Sequence, residues 1–123
     1  MDQTFLLLGS LAGFLGVGLG AFGAHGLKTR LSAEMLAVFE TGVRYQMYHT
    51  LALLVVSAAI GHLGSARLLA GAGWLFVAGI VLFSGSLYAL ALSGVTTLGA
   101  ITPIGGLAFL GGWACLAVFA AAR

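Results

Sequence analysis

LLAGAGWLFVAGIVLFSGSLYALALSGVTTLGAITPIGGLAFLGGWACLAVFAAA, residues 68–122, contains no Asp, Glu, Lys, Arg or His. One bilayer crossing takes ~20 residues, so this run is too long for a single span and must fold back on itself. Two spans follow from this, about 68–92 and 104–121.

The first half of the chain adds two more spans, about 4–24 and 45–61. The composition agrees with a membrane class: 61% of the 123 residues are apolar and 7% are charged, with a mean hydropathy of +1.14. A soluble domain of this size could not bury so much apolar surface. Lipid cannot satisfy exposed backbone N–H and C=O groups, so the spans are helices. The expected architecture is an all-α integral membrane protein, one domain over 1–123, built as an antiparallel bundle of four transmembrane helices.

The longest connection, 25–44, holds structure of its own. In LSAEMLAVFETGVRYQ (31–46), Ser32 suits a helix N-cap and Glu34 places a negative charge in the first turn. Met35, Leu36, Val38 and Phe39 recur at helical spacing, and Glu40 and Arg44 stand four residues apart. We read 32–42 as an amphipathic helix at the membrane interface, between spans one and two, or as the first part of one long helix that continues into span two. At the start of span four, Thr102 suits an N-cap and Pro103 the first helical position.

Gly9, Gly13, Gly16, Gly20 and Gly23 form one stripe along span one. Without a Cβ, such a stripe lets another helix approach closely and gain van der Waals contact that lipid does not supply. Its partner is either a helix of the same chain or a second copy.

The charge pattern excludes some functions. Five of the eight charged residues lie in 28–44, and no Lys/Arg cluster marks a nucleic-acid surface. Cys115 is the single cysteine, so there is neither an intramolecular disulfide nor a CxxC motif. The first helix lacks the positive flank of a signal peptide and is expected to be retained. Lys28, Arg30 and Arg44 on one side against Arg67 and Arg123 on the other favour both termini outside.

Antiparallel order brings the end of span one, the start of two, the end of three and the start of four to one membrane side. His25, Tyr45, Gln46, His49, Ser84, Ser86, Tyr88 and Thr102 therefore gather in one half of the bundle. At 100° per residue, Gly42, Tyr45, Gln46 and His49 share an arc facing the bundle, while Arg44 and Tyr48 face the headgroups. His49 stands one turn beyond Tyr45, hence at a shallow depth. Two readings fit this cluster. Its members are inter-helix glue, at about 0.6 kcal/mol per hydrogen bond, or they receive a small ligand such as a lipid or quinone headgroup.

Catalysis and metal binding find less support. His25 and His49 have only Glu34 or Glu40 to complete a metal shell, short of the usual zinc set. Ser84 or Ser86 with His49 lacks an acidic orienter, and no carboxylate stands within the spans to carry protons. No cofactor is expected. The sequence reading is thus a non-enzymatic membrane protein that packs through glycine and self-associates or docks on another membrane component. Ligand binding at the polar cluster is the alternative.

Four motifs in order carry a family resemblance: GAFGAHGL (20–27), FETGVRYQMYH (39–49), LFSGSLYAL (82–90) and ITPIGGLAFLGGW (101–113). Together they resemble the domain of unknown function 423 family of small membrane proteins (YgdD/YwdK-like, more distantly transmembrane protein 256-like). The resemblance implies a four-helix protein of the bacterial inner membrane and carries over no catalytic residue.

Overall fold

The computed structural model describes residues 2–123, and among these every regular element is helical. Four helices are long and apolar enough to cross a bilayer: α1 (Gln3–His25), α2 (Ala33–Leu63), α3 (Arg67–Ser93) and α4 (Thr102–Ala121). A 3₁₀ turn at Thr96–Ala100 links α3 to α4. α1 packs chiefly on α2, α4 chiefly on α3, and α2 and α3 join the two pairs. Large apolar side chains on α1 and α4 point outward, Phe14 being 79% exposed, as helices that face lipid require.

The caps follow local chemistry. The Asp2 carboxylate accepts from Phe5 N–H at 3.0 Å and opens α1. Ser32 Oγ accepts from Met35 N–H at 3.1 Å, so α2 starts where the sequence indicated. Thr102, by contrast, does not cap α4: the N-cap position falls on Ile101, whose side chain makes no cap bond, and Thr102 is the first helical residue, its hydroxyl bonded to Ser86 at 2.6 Å.

The interfacial helix expected at 32–42 is not a separate element. It forms the first turns of α2, which runs unbroken for 31 residues. No proline interrupts this stretch, and Gly42 stays helical because it is pressed between helices. A Cβ there would lie 2.8 Å from the Tyr88 ring and 3.3 Å from the Ser84 carbonyl oxygen.

The glycine stripe of α1 faces α2 of the same chain. Cβ atoms on Gly9, Gly13, Gly16, Gly20 and Gly23 would press on Leu54, Thr50, Met47, Val43 and Phe39 in turn. At Gly16 the obstacle is the Met47 sulfur, the far end of a flexible side chain. Gly16→Ala is therefore expected to be nearly neutral, since helix propensity returns about 1 kcal/mol. Gly16→Leu should cost about 2–3 kcal/mol by forcing α1 from α2. Thermal unfolding of the two variants in detergent measures the difference, and equal melting would mean that α1 slides without loss.

Between α3 and α4, phenylalanine and glycine alternate reciprocally. Phe76 lies over Gly112, Phe109 over Gly79, and the Phe83 backbone against Gly105. Phe83 belongs to a π-helical turn, Ile80–Ser84. Such a turn holds one residue more than an α-turn and resets the helix face. Phe76, Gly79 and Phe83 thus meet α4, whereas Ser84 and Tyr88 reach α2.

Candidate functional site

Gln46, His49, Ser84, Ser86, Tyr88 and Thr102 form separate hydrogen-bonded groups. Gln46, 4% exposed, ties three helices together. Its Nε2 donates to the Ala12 carbonyl of α1 at 2.8 Å, and its Oε1 accepts from the Tyr88 hydroxyl of α3 at 2.6 Å. Ser84 Oγ, fully buried, donates to the Gly42 carbonyl at 2.7 Å and fastens α3 to α2. Ser86 and Thr102 join α3 to α4. His25 is exposed at the end of α1 and lies outside these groups.

His49 turns away from Gln46, towards α4. The Trp113 indole N–H donates to His49 Nε2 at 3.0 Å. An indole can only donate, so Nε2 carries the lone pair and Nδ1 the proton. Nδ1–H then donates to the Tyr45 carbonyl at 2.7 Å. The imidazole also stacks on Phe109, with centroids 3.5 Å apart and planes 7° from parallel. Both nitrogens are occupied and neither meets Ser84 or Ser86, whose hydroxyls bond elsewhere. Among the described residues, no three His, Cys, Asp or Glu side chains converge as a metal shell.

Trp113 was missing from the sequence-derived cluster. Gly105, Phe109 and Trp113 recur every fourth residue and form one stripe down α4, a spacing that would have put Trp113 on the Phe109 face. The depth of His49 also differs from expectation. Its neighbour Thr50 packs on Gly13, the eleventh of the 23 residues in α1. Trp113 is the twelfth of the 20 residues in α4. The His49–Trp113 pair is therefore level with the middle of both helices, because α2 begins well before residue 45.

Beside this pair lies a cleft of about 580 Å³ between α2 and α4. Tyr45, Tyr48 and His49 form one wall, Leu107, Leu110 and Trp113 the other, with Phe83 between them and Pro103 at one end. Tyr48, expected to face headgroups, thus borders the same cleft as His49. A second cavity, about 300 Å³, lies between α1 and α3; its polar groups, Gln46 and Tyr88, bond each other.

Residues 19–106, which hold most of this framework, match the family model described as "Protein of unknown function (DUF423)". The chain belongs to that family. Among relatives of the DUF423 chain, UPF0382 membrane protein YwdK of Bacillus subtilis is 49% identical over 97 residues, 79% of each chain. A UPF0382 membrane protein of Staphylococcus epidermidis is 49% identical over 97 residues, covering 79% of this chain and 78% of its own. One from Haemophilus influenzae is 47% identical over 91 residues, 74% and 72% of the two chains. No solved structure matches. With four helices able to cross a bilayer and bacterial relatives named membrane proteins, this DUF423 member is a multi-pass bacterial membrane protein.

Proposed function

We propose that the protein binds a membrane lipid, with an acyl chain lying in the cleft between α2 and α4. The cleft itself carries this reading. Its volume falls within the range of small-molecule sites, and its walls are aromatic and aliphatic with few polar groups. It lies between two spans, so hydrocarbon chains are the solvent against it. The Tyr45 and Tyr48 side chains are 37% and 52% exposed, and among the described residues their hydroxyls make no hydrogen bond within the chain. Tyr45, one helical turn nearer the interface than His49, is available to a lipid's ester oxygens. The His49–Trp113 bond holds two helices at a fixed separation, and this keeps the groove from closing.

The leading expectation from the sequence, a protein that self-associates or docks on another membrane component, drew on the α1 glycine stripe, the near absence of soluble chain and the lack of a catalytic constellation. α2 of the same chain covers that stripe, and the cleft favours the lipid reading. Nothing in this reading needs an enzyme: the serines and His49 act as structural bonds.

Gly106 borders the cleft, and a Cβ there meets nothing closer than Phe83 at 3.9 Å. Gly106→Phe should fill the groove without disturbing the bundle. Native mass spectrometry after extraction from phospholipid vesicles is expected to find one retained lipid on the parent chain. Gly106→Phe should retain less than a tenth of that adduct at an unchanged melting temperature, where tenfold corresponds to about 1.4 kcal/mol. An adduct equally abundant in both proteins, or absent from the parent, would refute lipid binding here.

A further inference from the structure

We propose that Arg44 grips the headgroup of the lipid in this cleft and selects an anionic phospholipid. The inference rests on the cleft reading and adds the chemistry of the ligand's polar end. Arg44 precedes Tyr45 and stands four residues before Tyr48, so it shares a helix face with Tyr48, which borders the cleft. Pro103 ends the cleft on the same side, where Thr102 bonds Ser86 near the start of α4.

Arg44 is exposed. Among the described residues it makes no ion pair within 4 Å, Glu40 one turn earlier included. The cation–ring contact in the structure belongs to Arg123. Arg44 is five residues from His49, so its Cα stands ~7.5 Å along the axis from the middle of the bundle. The hydrocarbon half-thickness is ~15 Å. An unpaired guanidinium at that depth must extend towards the interface along the helix, which carries it past the upper end of the cleft. What it meets there is the phosphate of the lipid whose chain fills the groove.

A guanidinium fork matches two phosphate oxygens. In a zwitterionic lipid the phosphate already has an ammonium partner of its own. In an anionic lipid it does not, and the preference follows from that difference.

The test uses the full chain in vesicles of equal phosphatidylglycerol and phosphatidylcholine with identical acyl chains, read by native mass spectrometry. The phosphatidylglycerol adduct is expected to exceed the phosphatidylcholine adduct about fivefold, the value of one basic side chain at an anionic interface. Arg44→Lys should keep the preference. Arg44→Gln should abolish it by lowering the phosphatidylglycerol adduct about fivefold, to the level of the phosphatidylcholine adduct, at the parent's melting temperature. A parent that holds both lipids equally, or an Arg44→Gln protein that keeps the preference, overturns the headgroup assignment and leaves the cleft reading standing. A parent that retains neither lipid overturns both.

Discussion

Gly105→Ala is expected to lower stability by about 3 kcal/mol or more, far beyond an ordinary surface substitution. A Cβ at this position would overlap the Phe83 backbone, falling 2.7 Å from its Cα. Side chains can rotate away from an added methyl, but backbone cannot. α4 would have to withdraw from α3, and the neighbouring contacts of Phe109 with Gly79 and Phe76 with Gly112 would loosen together. Gly106→Ala is the control one residue away, with nothing nearer than 3.9 Å; it should be neutral or slightly stabilising through helix propensity. Unfolding by sodium dodecyl sulfate in mixed micelles measures both. Similar midpoints for the two alanine variants would show that the close approach of α4 to Phe83 does not hold the bundle together.

Gln46→Leu should cost about 2 kcal/mol, through two lost hydrogen bonds and a half-buried Tyr88 hydroxyl left without its partner. The loss reaches two interfaces, since Gln46 bonds both Ala12 on α1 and Tyr88 on α3. Tyr88→Phe alone should cost less, because Gln46 keeps its bond to α1. The double variant should lose less than the two single losses combined, as expected of residues sharing one bond. Strict additivity would mean that the Tyr88–Gln46 bond contributes nothing measurable.

The sequence made some of this legible because hydropathy and glycine spacing are one-dimensional. The charge-free run at 68–122 could only be two spans, and α3 and α4 are those spans. The α1 stripe identified a close-packed face, yet any helix can lie against missing Cβ atoms, so its partner became visible only with α2 in place. Which helix ends meet was readable from antiparallel order, and rotation about the helix axis was not. Gln46 and His49 share an arc by counting, but one turns to α1 and α3 and the other to Trp113 on α4. The depth of His49 depended on where α2 begins, and continuous helix from Ala33 moved it from the rim to the middle. The π-turn at Ile80–Ser84 has no residue signature, although it decides which side chains of α3 meet α2 and which meet α4.

The alternation between α3 and α4 also restricts how the charge-free half of the chain can assemble. Phe76, Gly79 and Phe83 on one helix stand opposite Gly112, Phe109 and Gly105 on the other. A slide of one helical turn would set ring on ring and gap on gap. The hairpin therefore carries, in its own residues, the alignment in which its two helices close.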